Sequence, residues 1–438
     1  MRGPGSVLTW LLLFFPLWWA LGLGGVIFFV AAVPMAVSLW RRRSVEVPPG
    51  FGVWLVFCGI VVVSLIGIGL HPEGTLAPHS SGLILGAGFR IVGYVSVSVI
   101  CLYAVNLTER EFSRRALINL FAATAVITVV GGIVGTVAGT FEFTSPLEAL
   151  LPASLDRDNF VQSLVHPQAA QVMNFLGYDT PRPAAPWGYT NTWGNMLAIT
   201  APWLAVAVLS FRVGAKAKVF AYATLAIALV PAIYSMNRGL WLNLAVAGVL
   251  AAVRLGIIGR WWPLVGLVAV TAVALLAIAV TPLGQVVAVR AANGHSDDGR
   301  TYATVQAMSK LPSSPVLGFG STRQTAGSGD SIAVGPTDSC PRCGGRTLGG
   351  NGQLWQVLFA HGIAGGALYV GFFGVILWRF RRDHSAIGIV GSIVMVMSLT
   401  SMFYYNALVA PLVVTMLCYA LLWRNERDAR LGEAGGAA

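Results

Sequence analysis

Charge is what this chain has least of. Only 10% of its 438 residues are Asp, Glu, Lys or Arg, whereas a soluble domain carries about 25%. Hydrophobic residues make up 56%. That balance excludes an ordinary water-soluble globule and points to a polytopic membrane protein, each crossing needing about 20 apolar residues. Cysteine is also scarce, with five residues, so a disulfide-built scaffold is excluded. Cys58, Cys101 and Cys418 lie in apolar runs and read as packing residues. Cys340 and Cys343 form "CPRC" in a polar stretch, most simply a local disulfide across a tight turn. A lone CxxC is a weak zinc signal, because zinc takes four ligands and no partner pair is visible. Internal repeats are lacking, and the "GEAGGAA" tail is the single low-complexity segment.

What is present is a succession of apolar runs. They fall at about 7–22, 24–40, 51–70, 91–107, 117–139, 192–211, 219–235, 240–256, 262–281, 353–378, 386–402 and 406–423, which predicts twelve crossings. The start, "MRGPGSVLTWLLLFFPLWWALG", resembles a signal peptide, but no small-residue cleavage site precedes polar sequence, so it reads as an uncleaved anchor. Residues 7–40 form two passes, or a re-entrant hairpin, broken at "GLGG". Either arrangement puts Arg2 and Arg41–Arg43 on the same, cytoplasmic, side. With both termini cytoplasmic, that side holds 18 of the 28 Lys and Arg and seven of the 17 acids, hence +11. The outer side holds ten of each, hence zero. The whole net charge is topological and gives no reason to expect a nucleic-acid partner; membrane lipids are the expected surroundings.

Cytoplasmic connections are short, so chemistry is expected on the outer loops at about 71–90, 140–191 and 282–352. In the second of these, Asp158 suits an N-cap, and Pro167 separates two expected short helices. Phe160, Leu164 and Val165 share a face of the first; Val172, Met173 and Leu176 share a face of the next. Such helices either lie in the interface or pack on the spans. The following "TPRPAAPWGYTNTWGN" reads as extended and irregular. Its Trp187, Tyr189 and Trp193 form either an interfacial aromatic belt or the lining of a sugar site. In the third loop, Tyr302, Val305 and Met308 or Ser309 are spaced for one face of a helix that Pro312 and Pro315 stop. Asp297 or Asp298 would cap it, with Arg300 in the first turn against the helix dipole, as though placed for a ligand.

Charges at the apolar boundaries narrow the reading. Arg238, in "SMNRGLW", sits at the tip of a tight hairpin between two apolar runs. An arginine there costs a few kcal/mol unless paired or wet. It either snorkels to a lipid phosphate or faces an anion in an outer cavity, where its planar fork suits a diphosphate. Arg90 starts a span, as an anchor or as a second group lining that cavity. His361 lies ten residues beyond Asn351, roughly 15 Å deep, and is expected to be buried and hydrogen-bonded.

Several of these stretches together resemble the O-antigen ligase and O-antigen polymerase superfamily, particularly its actinobacterial members. They are "FPLWWALGLGG", "NRGLWLNLAVAGV", "GHSDDGRTYATVQAMSKLPSSPVLGFG" and "GNGQLWQVLFAHGIAGG", with "FEFTSPLEALLP" and "RPAAPWGYTNTWG" beside them. The likeness covers most of the chain in order, spacing and topology; each motif is weak alone. It implies an all-α polytopic fold of the multi-span, GT-C-like type, a single membrane domain with a ligase-like core at about 190–380, and a large outer loop carrying short helices. It also implies a metal-independent glycosyltransferase without cofactor. Its partners would be a polyprenyl-diphosphate-linked glycan donor and a glycan or lipid acceptor. Arg238 and Arg300 match the arginines that face the diphosphate, and the "GlxG" pattern implies a bend in the helix after Gln353. Where the family has a candidate base, a histidine, this chain has Asn351. An amide orients a hydroxyl but takes no proton at neutral pH, and a general base is typically worth about 10²–10⁴ in rate. His295 is the nearest alternative base in sequence to Arg300, and Gln353, Trp187 and Tyr189 are candidate substrate contacts. The alternative class is a transport or lipid-linked-glycan-binding protein without transfer activity. A metal-dependent enzyme using Asp156 and Asp158 of "DRD" is a third, weaker reading, since the motif is short and suits a helix cap.

Overall fold

Apolar runs bounded by Gly, Pro and charged turns dictate helices, and helices dominate the computed structural model. It describes residues 3–75, 80–152, 155, 159–173, 179–280, 283–292, 295–324, 347–350 and 352–436. The first apolar stretch is broken as expected. Helices α1 (Ser6–Leu13) and α2 (Phe15–Ala20) precede a turn at Gly22, φ +79°, and α3 (Ile27–Trp40) follows. Then come α4 (Phe51–Val63), continued by a 3₁₀ segment Ser64–Gly69, α5 (Ser80–Val105) and α6 (Arg114–Val137). The short α7 (Asn159–Val165) leads to α8 (Thr190–Leu209), α9 (Ala215–Ile227), α10 (Leu229–Tyr234), α11 (Arg238–Ile257) and α12 (Trp261–Val280). The set closes with α13 (Leu283–Ala292), α14 (His295–Lys310), α15 (Gln353–Phe380), α16 (Ala386–Ser401) and α17 (Ala410–Gly436).

Among the described residues, seven helices are long and apolar enough to cross a membrane: Phe51–Gly69, Leu83–Val105, α6, α8, Ala215–Tyr234, α11 and α15. Three shorter apolar helices stand at Ile27–Trp40, Leu264–Val280 and Ala386–Ser401, where further crossings are expected. Burial sorts them. α8 has 72% of its apolar window buried and α11 only 11%, so α8 is central and α11 peripheral. α17 is buried throughout Leu412–Leu422 and packs on α5 and α16. The tightest helix pair is α6 with α8, and small residues allow it. A Cβ on Gly132 would lie 2.5 Å from the Trp193 ring.

In the 140–191 stretch the first expected short helix is present as α7, and the second is not. The segment expected as a second short helix, carrying Val172 and Met173, is instead a strand. β1 (Ala170–Met173) pairs antiparallel with β2 (Thr180–Pro183), so the "all-α" reading needs two small hairpin sheets added. The hairpin packs directly on α6, where a Cβ on Gly135 would be 2.4 Å from the Ala169 carbonyl. The second sheet pairs β3 (Arg323–Gln324) with β4 (Thr347–Leu348).

The polar connections gather at two ends. At one, Arg42 bonds Glu111 at 2.8 Å, Arg427 bonds Glu46 at 2.9 Å, and Arg424 bonds Glu109 at 3.1 Å. Arg379 and Arg430 share Glu426, and Asn425 holds Asp383 at 3.0 Å. Burial would push the Glu111 carboxyl up, but the Thr108 N–H and the Arg42 guanidinium outweigh it and hold the group below the usual carboxylate range. All of these residues fall on one side of the expected topology. The turns of the other side meet at the opposite end, around Arg182, Ser235, Arg323, Gln353 and Tyr405.

Candidate functional site

The site is built from a turn, a helix start and a helix break. The backbone reverses after α10 through Ser235–Asn237, with Met236 at φ +48°. Asn237 caps α11, its side-chain oxygen accepting from the Leu240 N–H at 3.3 Å, as expected of asparagine before a helix. Arg238 is thus the first residue of α11, half-buried. Around it, the buried Arg182 donates from Nε to the Ser235 carbonyl at 2.6 Å, and the Asn237 amide donates to the Thr190 carbonyl at the start of α8.

The Tyr404–Tyr405 turn, between α16 and α17, fastens this hairpin to α15. The Tyr405 hydroxyl donates to Asn237 Oδ1. Its carbonyl accepts from the Gln353 N–H at 2.8 Å. The first-turn N–H groups of α15, which have no intrahelical partners, are satisfied the same way. Leu354 N–H bonds the Met402 carbonyl at 2.9 Å, and Gly352 N–H bonds Asn406 Oδ1 at 3.2 Å. One turn deeper, Tyr404 donates to Asn243 and Asn243 donates to Ser401, a buried polar relay between α11 and α16.

Gln353 is fully buried, and its amide is spent inside the protein. Nε2 donates to the Tyr94 hydroxyl at 2.8 Å, and Oε1 accepts from the Ala407 N–H at 2.9 Å. It is a clamp between α15, α5 and the 402–409 turn, which corrects its expected role as a substrate contact. Tyr94 lies one helical turn after Arg90. Arg90 is buried and donates to Ser321 and Thr322, each at 2.8 Å. Beside it, Arg323 is 2% exposed and donates to the carbonyls of Ile68, Leu70 and Phe319. Burial pushes the Arg323 guanidinium down from its ordinary value. Among the described residues, no carboxylate pairs with Arg90 or Arg323.

The helix break is the third part. α15 departs from helical geometry at Gly362, φ +66° and ψ −170°, a conformation open essentially to glycine alone. A finger of backbone, Pro315–Gly320, enters the gap. Phe319 N–H bonds the Phe359 carbonyl at 3.0 Å, and Gly320 N–H bonds the Ala360 carbonyl at 2.8 Å. In return, Ile363 N–H bonds the Pro315 carbonyl at 2.8 Å. Fit is tight, since a Cβ on Gly318 would sit 2.5 Å from the Phe359 carbonyl. Below it, His361 is buried, as expected. Its Nδ1 lies 2.7 Å from Ser64 Oγ, whose own proton goes to the Val61 carbonyl. Nδ1 therefore donates, leaving the lone pair on Nε2, which is buried without a partner.

The other expected residues are placed as follows. Trp187 is 6% exposed, its ring stacked on Phe15 at 4.1 Å and its N–H given to Thr128 at 3.0 Å. Its face is covered, so it is a packing residue, neither a sugar platform nor a belt residue; Trp193, also buried, donates to the Thr128 carbonyl. Tyr189 stays exposed just before α8. His295 and Arg300 lie in the first two turns of α14. That helix starts at His295, so Asp297 and Asp298 are inside it rather than capping it. Among its described side chains Ala303 and Ala307 are buried and Val305 is 57% exposed, while Met308 packs against the cluster of Ala307, Phe319 and Phe359. Asn351, Cys340 and Cys343 lie outside the described residues, as do Asp156 and Asp158. Arg182 and Arg323 belong to this end and were not among the expected residues. No protein-family model matches the chain, and no characterised protein matches it significantly. Chemically, the end offers buried guanidinium groups whose charge suits an anion, and among the described residues no His, Cys, Asp and Glu cluster fit for a metal ion.

Proposed function

We propose that the chain is a metal-independent glycosyltransferase of the O-antigen ligase and polymerase type, moving a glycan from a polyprenyl diphosphate to an acceptor hydroxyl. In this reading it crosses the membrane twelve times in a GT-C-like arrangement, with both termini cytoplasmic and the arginine-rich end outside. The observation that carries the reading is the Tyr405 junction, which ties the Arg238 hairpin to the start of α15. Those are the two stretches whose resemblance implies the diphosphate contact and the acceptor contact.

The chemistry follows from charge. The bond from the anomeric carbon to the diphosphate breaks, the acceptor oxygen bonds that carbon, and its proton must leave. The diphosphate gains negative charge, which Arg238 and Arg300 stabilise where it develops. Asn351 orients the acceptor hydroxyl, and His295 is the candidate to take its proton. The amide at 351 also keeps the second reading in play, a protein that binds the lipid-linked glycan without transferring it.

Reconstituted protein with a lipid-linked glycan tests this. Arg238→Ala and Arg300→Ala should each abolish transfer; unchanged product yield and length would sink the proposal. Asn351→His should raise the rate, by up to about 10² if a missing base is the limit. Donor binding without turnover in the natural chain, with turnover appearing in Asn351→His, would mark it as a binding protein.

A further inference from the structure

At the ion-paired end of the bundle, the described acidic side chains are all engaged and the bases only in part. Glu46, Glu109, Glu111, Glu426 and Asp428 are all in ion pairs, and Asp383 is held by Asn425 and the Ser385 N–H. What remains exposed is cationic, and part of it is concentrated at one corner. Arg115 lies over the Phe211 ring at 4.8 Å, which fixes the start of α6 against the end of α8. Arg212 follows Phe211 directly and α9 begins four residues after it, which brings Arg212 and Lys216 to this corner, with Lys218 next along the helix. All four are exposed, and among the described residues none is in an ion pair. The first turns of α6 and α9 contain no acid, and the acids that precede α6, Glu109 and Glu111, are paired with Arg114, Arg424 and Arg42 instead.

Immediately along α9 the surface changes from cationic to apolar. Val219 is 66% and Phe220 57% exposed, on a helix read as crossing the membrane. A cationic cluster directly above an uncovered apolar surface matches a molecule with an anionic head and hydrocarbon tails. Free phosphate satisfies the first half alone. We propose that Arg115, Arg212, Lys216 and Lys218 bind the headgroup of an anionic phospholipid, whose acyl chains lie along Val219 and Phe220. The site is independent of the glycan-transfer reading, being at the opposite end from the Arg238 hairpin.

Native mass spectrometry of the full chain, offered equimolar phosphatidylglycerol and phosphatidylcholine in detergent, tests it. The natural chain should retain phosphatidylglycerol selectively, and increasing salt should weaken that selectivity. Arg212→Gln, Lys216→Gln and Lys218→Gln together should reduce it, on the order of 100-fold at low ionic strength. Lys216→Arg with Lys218→Arg should preserve it, which separates charge from folding. Arg41→Gln with Arg43→Gln, at exposed positions elsewhere, should leave it intact. Equal retention of the two lipids, an unaffected triple variant, or displacement of phosphatidylglycerol by equimolar inorganic phosphate would each overturn the proposal.

Discussion

Gly362 shows how one residue sets the shape of this end of the molecule. Its φ of +66° with extended ψ lies where a side chain costs about 1–3 kcal/mol, and a Cβ would meet the Val316 carbonyl at 2.1 Å. Gly362→Ala should therefore lower the thermal midpoint of purified protein by several degrees and weaken function with it. An unchanged midpoint would show that the finger yields easily. The bend was legible from the "GlxG" pattern, and the Arg238 turn from "MNRG" between two apolar runs. Arg182 and Arg323 were not. An arginine in a polar stretch reads as solvated, and it is the carbonyls of Ser235, Ile68 and Leu70, distant in sequence, with the local Phe319 carbonyl, that turn these two into buried struts. Gln353 misled in the same way, because Tyr94 comes from α5 and Ala407 from the 402–409 turn, both far away in sequence.

Among elements, the long periodic runs were foreseen, as was the short α7 with Phe160, Leu164 and Val165, whereas the four-residue strands were not. Four residues, "AQVM", carry too little pattern to separate one helical turn from a strand, and the pairing with Thr180–Pro183 decides for the strand. α14 was placed correctly, and among its described side chains the small Ala303 and Ala307 are buried, with Met308 packed on the same cluster. The α5–α6 connection permits a pH test. Glu111 accepts from Arg42 at 2.8 Å and from the Thr108 N–H at 2.8 Å, and its carboxyl is held below the ordinary value of about 4.3. The folded protein thus binds a proton here less readily than the unfolded chain. This contribution is present above about pH 4.3 and lost as pH falls through the lower folded value. Glu111→Gln should lower thermal stability at pH 7, by about 1 kcal/mol or less because the pair is partly exposed, and the difference from the natural chain should vanish in acid. A difference that persists at low pH would show that hydrogen bonding, not charge, is responsible.

For the molecule as a whole, the two ends carry different electrostatics: a network of arginine ion pairs at one, and at the other the buried Arg90 and Arg323, which have no carboxylate partner among the described residues, with Glu148 paired to His166 at 2.9 Å. If the first end is cytoplasmic, an impermeant maleimide added to intact cells should label Glu73→Cys and spare Arg382→Cys, with Cys340 and Cys343 replaced by serine. The reverse pattern would invert the orientation. The broken helix has a further consequence for how such a chain is made. An interrupted helix entering a bilayer exposes amide and carbonyl groups, each costing several kcal/mol in hydrocarbon. Here each group that meets the break precedes it in the chain: Ser64 beside His361, and the Pro315–Gly320 backbone beside Phe359, Ala360 and Ile363. Synthesis runs from the N-terminus, so these partners exist before Gly362 leaves the ribosome. The segment that must bend is made after the groups that receive it, into a socket already translated.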